Sequence, residues 1–439
     1  MWKLLSLVVL VVVFVFLYVK TVVDFNKNVQ VEETWWKLTK PLVEDTVIKP
    51  FKINVSNETL NDLKERLQNA LPFEKSLTFD QNYGINEVLL NTVIDFWKKQ
   101  YRWREREVFL NKYPQYFTNI QGLDIHYIHV KSSKCEDNNK VVTLLLLHGW
   151  PGSIRDFYEL ISLLEVPDDG RKFSFEIIVP SLPGYGFSEA PELPGLSTPQ
   201  MAVILKNLMS RLNIEKYYIH GVDWGAFIAS HMAALYPEKI TGVHSSVCWL
   251  NVPSAYARLV LFSAFPSLIL DGKYEHLVYP LVDKVEFFVQ ESGYLHLQAT
   301  KPDTIGIALR DNPIGLAAYI TEKFSTWSNP AWRNLDDGGI SKYDLNKILD
   351  NIMIYWITGS ITTSLRLYKE YFNQLDLSLS IDSLRKSRYK NLISLRTHEN
   401  AGHFAQYEAP EVLARDIGEF IRIVEESRSK FHHSSLESN

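Results

Sequence analysis

Four short apolar runs decide what this chain can fold into: residues 141–147 (VVTLLLL), 175–179 (FEIIV), 217–220 (YYIH) and 240–244 (ITGVH). Each is too short for a buried helix and rich in β-branched or aromatic residues. Helical stretches at residues 154–164 and 199–212 lie between some of them. That rhythm is the signature of parallel strands joined by crossover helices, hence an α/β chain built on a doubly wound, mostly parallel sheet, with ligands at the carboxyl ends of the strands. The rhythm stops at about residue 251, gives way to aromatics and prolines until about 370, and resumes with NLISL at 391–395. An inserted lid explains the interruption. The expected organisation is therefore a first core part at 123–250, a lid at 251–370, a second core part at 371–425 and a polar tail at 426–439.

Upstream of the core, residues 57–71 (NETLNDLKERLQNAL) repeat apolar positions at helical spacing, and Trp97, Tyr101, Trp103, Tyr113, Tyr116 and Phe117 follow. We read residues 24–122 as a helical extension whose aromatics pack against a neighbouring surface. At the amino terminus, residues 4–19 carry no charge and lie between Lys3 and Lys20. With Trp2 and the Val22-Val23 pair the stretch nears the roughly 20 residues that cross a bilayer as a helix, which makes 1–23 a candidate transmembrane anchor. A cleaved signal peptide is the alternative, but no small-x-small cleavage site follows. Lys20, Lys27, Lys37 and Lys40 outnumber Lys3 and the amino group, so the charge bias puts the body on the cytoplasmic side and leaves the acceptor triplets at Asn54 and Asn57 unused.

Composition excludes other classes. The chain is 46% apolar with a formal charge of −5 and has no basic stripe, which argues against disorder and against nucleic acid as a partner. The two cysteines, Cys135 and Cys248, form no metal-type or disulfide spacing, so no metal or other cofactor is implied.

The chemistry centres on His220-Gly-Val-Asp-Trp-Gly225, which directly follows the 217–220 run and precedes the helical residues 226–234. It has the form of a nucleophile elbow, with Asp223 where ester hydrolases carry serine. Gly221 and Gly225 suit a tight strand-to-helix turn. Alone, Gly-x-Asp-x-Gly is a weak signal and more often a plain turn. Its context is stronger: His148-Gly-Trp-Pro-Gly-Ser153 follows the 141–147 run, where this fold keeps its oxyanion loop, Pro183-Gly-Tyr-Gly-Phe-Ser188 follows the 175–179 run, and Ala401-Gly-His403-Phe follows 391–395. Aspartate at the elbow selects the reaction. Attack on an acyl carbonyl makes a labile anhydride, whereas attack on an sp³ carbon of a strained ring or a halide makes an ester that water must cleave, with His403 as the base.

At this point the chain resembles the microsomal epoxide hydrolases and the insect juvenile hormone epoxide hydrolases, over nearly its whole length from the anchor to about Glu425. HGWPGS, PSLPGYGFSEA, GVDWG, ESGYLHLQATKPDTIGIAL, KFSTW, YWITGSITTSLRLYKE and GHFAQYEAPE carry the likeness. The resemblance implies an α/β-hydrolase fold in which Asp223 is the nucleophile, His403 activates water, and the lid tyrosines Tyr368 and Tyr294 hydrogen-bond the epoxide oxygen, Tyr368 as proton donor. It also implies oxyanion donors at Trp150 and Trp224, a lipophilic epoxide as substrate, hormone or xenobiotic, and residence in the endoplasmic reticulum membrane.

The chain departs from the family in one place. The resemblance calls for a strand with Pro-x-Gly and a Phe-rich turn ending in Glu between the lid tyrosine and the histidine, yet 34 residues separate Tyr368 from His403 and neither motif is among them. Two carboxylates are candidates for the orienting acid: Asp382, after the alternating residues 375–381 (LDLSLSI), and Glu399, close to His403 in sequence. Two other readings remain open: a haloalkane dehalogenase, against which the two tyrosines argue, and a shortened binder of apolar epoxides that turns over poorly.

Overall fold

The computed structural model describes residues 31–436 apart from 79–80, 132–139, 167–172, 248–258, 264, 269–270, 334, 374–390 and 400. The apolar run 4–19, Asp382 and residues 375–381 lie outside the described residues.

Strand β1 (Lys49–Phe51) leads into α1 (Asn57–Gln68), which starts where the Ser56 side chain accepts the Thr59 N–H and buries Leu63 and Leu67 one turn apart. Helix α2 (Glu87–Lys99) is capped in the same way by Asn86 and buries Leu89, Leu90, Val93, Ile94 and Trp97; α3 (Trp103–Leu110) follows. Strands β2 (Gln115–Ile120) and β3 (Leu123–Val130) then form an antiparallel hairpin. Its two turn residues, Gln121 and Gly122, have φ of 52° and 90°, which matches the twist a two-residue hairpin loop requires.

This hairpin differs from the expectation for residues 24–122. Trp97, Tyr101, Trp103 and Tyr113 are buried packing residues, but Tyr116 and Phe117 sit on β2, where Tyr116 stacks on Tyr127 across the ladder at 5.7 Å. The sheet therefore begins inside the extension. Aromatic density concealed a strand because QYFTNI carries only weak alternation of polarity.

Strands β4 (Lys140–Leu147), β5 (Phe173–Pro180), β6 (Tyr217–Gly221) and β7 (Ile240–Ser245) complete a seven-stranded sheet of order β1-β2-β3-β5-β4-β6-β7, parallel from β5 onward. Helices α4 (Tyr158–Glu165), α5 (Thr198–Arg211) and α6 (Trp224–Leu235) are the crossovers. The chain steps from β4 to β5 in one direction and onward to β6 and β7 in the other, so right-handed crossovers put α4 on one face and α5 and α6 on the opposite one. The reversal opens a crevice at the carboxyl ends of β4 and β6.

Beyond β7 the chain becomes helical: α7 (Gly272–Val278), α8 (Leu281–Glu291), α9 (Gly293–Thr300), α10 (Pro302–Asp311), α11 (Pro313–Thr326), α12 (Pro330–Arg333), α13 (Leu345–Thr358) and α14 (Ile361–Asn373). Helices α15 (Ala405–Glu408) and α16 (Pro410–Leu436) return to the core, where α16 packs on α4 and sets Phe420 against Gly242 of β7. The strand expected at residues 391–395 is absent: NLISL runs without ladder hydrogen bonds, and Leu392 and Leu395 are 74% and 62% exposed. An apolar run cannot supply its own ladder, and although β7 is the last strand of the sheet and pairs only with β6, residues 391–395 do not add to its outer edge.

One buried ion network ties the segment ahead of β2, the loop after β4 and α13 together. Asp350 of α13, fully buried, accepts hydrogen bonds from the Tyr101 hydroxyl at 3.0 Å, Arg106 Nε at 2.8 Å and Arg155 Nε at 2.8 Å. Arg155 in turn forks onto Glu159 at 2.7 and 2.9 Å, so two guanidinium groups face two carboxylates and no charge is stranded. From the same helix, Asn351 Nδ2 donates to Pro151 O and the Tyr355 hydroxyl to Gly152 O, at 2.8 Å for the latter. Helix α13 thereby holds the loop that follows β4.

Candidate active site

Asp223 stands at the turn from β6 into α6 with φ 47° and ψ −126°, a conformation non-glycine residues rarely adopt. The flanking glycines make it possible. A Cβ on Gly221 would lie 2.4 Å from Gly225 O, and one on Gly225 would lie 2.1 Å from Leu147 O. Gly149 is constrained likewise, since its Cβ would meet Asp223 Oδ1 at 2.1 Å. With that space free, Trp150 N–H donates to Asp223 Oδ1 at 2.8 Å, and the Trp224 N–H is aimed at the same carboxylate. Burial pushes the Asp223 carboxyl up from the ordinary aspartate range, while His403 and these two N–H groups oppose the shift.

His403 Nε2 lies 3.6 Å from Asp223 Oδ2. Burial lowers the imidazole below its usual value, and the charge of Asp223 works against that, so the ring is held in its neutral, proton-accepting form. Its backbone is pinned to the end of α11: His403 N–H donates to Trp327 O at 2.8 Å, and Gly402 passes so close that a Cβ there would lie 2.4 Å from the Ser328 carbonyl carbon. Trp327 and Phe404 flank the ring at centroid distances of 5.1 and 5.0 Å.

Tyr294 on α9 and Tyr368 on α14 complete the chamber, with ring centroids 6.0 Å apart. Tyr294 stacks on Trp150 at 5.6 Å and 7°, and Tyr368 meets Trp224 edge-on at 4.8 Å. The Lys323 ammonium sits 4.5 Å from the Tyr294 ring centroid, on a side chain that is nearly buried beside Glu322. Desolvation first, and the neighbouring Asp223 charge with it, hold both phenols above their ordinary pKa, so both keep their protons at neutral pH.

Asp223, His403, Tyr294, Tyr368, Trp150 and Trp224 thus converge on one chamber. Glu399 does not join them: it is exposed, and among the described residues only Asp223 lies within ion-pair distance of His403. Sequence reasoning also assigned no role to Asn351, Tyr355, Lys323, Trp327 or Glu408. All but Asn351 lie inside quoted motifs, but no periodicity separates a residue that braces a loop from one that fills a core.

A carboxylate held by two N–H groups, a neutral imidazole beside it and two protonated phenols across an aromatic chamber can form and then hydrolyse an ester on a strained ring. Residues 48–157 match the model for the epoxide hydrolase N terminus, and residues 142–410 match the α/β hydrolase fold. Juvenile hormone epoxide hydrolase 1 of Ctenocephalides felis is 45% identical over 91% of this chain and 90% of its own length. Epoxide hydrolase 1 of Oryctolagus cuniculus is 39% identical over 92% and 95%. The crystal structure of juvenile hormone epoxide hydrolase from Bombyx mori superposes with a TM-score of 0.85 at 42% identity, covering 90% of this chain and 99% of that one. The chain belongs to the epoxide hydrolase family and is an epoxide hydrolase of the α/β-hydrolase fold.

Proposed function

We propose that this enzyme opens lipophilic epoxides, of the juvenile-hormone or xenobiotic kind, to vicinal diols, with Asp223 as nucleophile, His403 as base and the phenols of Tyr368 and Tyr294 as oxygen donors. The observation that carries the reading is the Asp223 carboxylate between two N–H donors and His403 Nε2 at 3.6 Å, with both lid phenols over it. An Asp223 oxygen attacks a ring carbon, the ring C–O bond breaks, and Tyr368 passes its proton to the departing oxygen while Tyr294 hydrogen-bonds it. The product is a hydroxyalkyl ester of Asp223. His403 Nε2 then takes a proton from water, the hydroxide adds to the ester carbonyl, and the Trp150 and Trp224 N–H groups stabilise the oxyanion until it collapses to carboxylate and diol, after which the proton on His403 passes back to the Tyr368 phenolate and resets both groups. A haloalkane would leave as halide and need no proton, so two protonated phenols favour the epoxide.

Intact-mass measurement of the full chain after brief exposure to styrene oxide tests the roles. Asp223→Ala is expected to abolish both adduct and diol, and His403→Gln to retain an adduct that persists. Diol formation by Asp223→Ala at the wild-type rate would end the proposal.

The apolar run 4–19 and the lysines that follow it support a further part of the reading: residues 1–23 anchor the enzyme in the endoplasmic reticulum membrane with the catalytic part on the cytoplasmic side. No helix of the described residues is long and apolar enough to cross a membrane. Resistance of the full chain, but not of a chain lacking residues 1–23, to alkaline carbonate extraction is the expected outcome. Residues 251–370 act as the lid over the core formed by 123–250 and 371–425, because that segment delivers both tyrosines.

A further inference from the structure

The histidine of such an enzyme has to keep one orientation while the nucleophile changes from carboxylate to ester and back, and here no strand among the described residues leads into its loop. Residues 391–398 make no ladder bonds, and Glu399 is turned to solvent. What fixes the loop lies on its other side. Glu408, at the end of α15, puts its Oε2 where it accepts the Gly402 N–H at 2.9 Å and the Asn329 N–H at 2.9 Å, with the Phe404 amide also directed at the carboxylate. One carboxylate therefore grips the residue before His403, the residue after it and the chain leaving α11. Tyr343 stands beside the same carboxyl, and the group is largely removed from water, where hydrogen bonds to a charged acceptor are strongest. The His403 N–H bond to Trp327 O closes the remaining gap between loop and lid.

We infer that Glu408 is the positioning residue for His403, acting through the backbone of the histidine loop: it fixes where the imidazole stands, while Trp327 and Phe404 fix how the ring is turned. This inference rests on the proposed role of His403 as the base for ester hydrolysis. Glu408 touches neither substrate nor the reacting atoms. Its loss is therefore predicted to spare the alkylation of Asp223, which needs no imidazole, and to slow the second step, where displacement of the base by about 1 Å costs on the order of 100-fold.

The test uses the full-length chain in detergent with styrene oxide, and rapid quench followed by intact-mass measurement, so that adduct formation and adduct decay are read separately. Glu408→Ala is expected to form adduct within about 2-fold of the wild-type rate and to release it roughly 10- to 100-fold more slowly. Glu408→Gln, whose amide oxygen still accepts the same N–H groups, is expected to restore decay to within about 3-fold of wild type. Glu408→Asp keeps the charge but withdraws the carboxyl by one methylene. It should show the same split between the steps, which decides the matter if the alanine variant does not fold. Decay within about 3-fold of wild type in the folded alanine or aspartate variant overturns the inference, as does an equal fall in both steps. Failure of the wild-type protein to form any adduct would instead overturn the reading of Asp223, and is distinguishable because it appears before any variant is made.

Discussion

Asp223 and His403 lie 3.6 Å apart, yet the backbones that present them are built on different principles. The aspartate side is a product of the sheet: β6 is paired on both edges, and Gly149, Gly221 and Gly225 are set where any Cβ would collide with carboxylate or backbone. On the histidine side, the described residues 391–399 form no ladder. The histidine loop hangs from Trp327 O and from the Glu408 carboxylate, which also accepts the Asn329 N–H. In the proposed mechanism, sheet geometry holds the group that makes the covalent bond, and a polar clamp holds the group that moves the proton. Errors on the two sides are therefore expected to strike different steps.

Glycine substitutions break this comparison most severely. Gly225→Ala forces a Cβ to within 2.1 Å of Leu147 O and should depress adduct formation by about 100-fold or more, with diol formation falling in proportion. Gly402→Ala forces a clash with the backbone of Trp327 and Ser328, and should leave adduct formation nearly intact while slowing adduct decay by about 10-fold or more. Rapid quench on both variants reads the outcome, and a uniform loss in Gly402→Ala would show that the two sides are not separable.

The phenols lie across from both sides. Tyr368→Phe is expected to lower adduct formation by about 100-fold and Tyr294→Phe by less, because Tyr368 is the more deeply buried of the two donors and meets Trp224 as well as Trp150. Decay of a preformed adduct should be unchanged in either. Equal slowing of decay would place the tyrosines in the hydrolytic half of the reaction.

The smallest effect, and the one that sharpens the contrast, is on pH. Burial raises Asp223, so the carboxylate needed for attack is present above its folded pKa and is lost as pH falls through a value higher than that of an ordinary aspartate. Burial lowers His403, so its neutral form persists below the usual imidazole value of about 6.5, and adduct decay is lost only as pH falls beneath that range. The acid limb of adduct formation should lie above that of an ordinary aspartate, and the acid limb of adduct decay should lie below about 6.5. A decay limb centred at or above that pH would mean that the imidazole is stabilised in its charged form by a carboxylate not yet identified.

The sequence was legible where one local rule sufficed. Strand, glycine-flanked acid and helix occur in order at residues 217–235, and the structure has β6, Asp223 and α6 there, since turn sterics and period-two burial are short-range. The hairpin of β2 and β3 escaped because its aromatics pack on both faces and erase the alternation. The run at 391–395 misled in the opposite sense: it has the composition of a strand but pairs with none of the described strands. Glu408 was invisible for a further reason. A carboxylate that accepts backbone N–H groups from residues 402 and 329 leaves no spacing in the sequence, because its partners are close only after the lid has folded back.

Asp350 has a consequence for how such an enzyme can be taken apart. Its side chain is the meeting point of Tyr101 and Arg106 from the segment ahead of β2 and of Arg155 from the segment after β4, so removing Arg106 or Arg155 with its segment strands a charge in a dry interior, at a cost of about 3–5 kcal/mol. The helices between β1 and β2 are thus a keystone for the helix that carries Asp350. Lid, core and amino-terminal segment should melt as one body, and grafting a foreign lid onto this core would require carrying Tyr101 and Arg106 along with it.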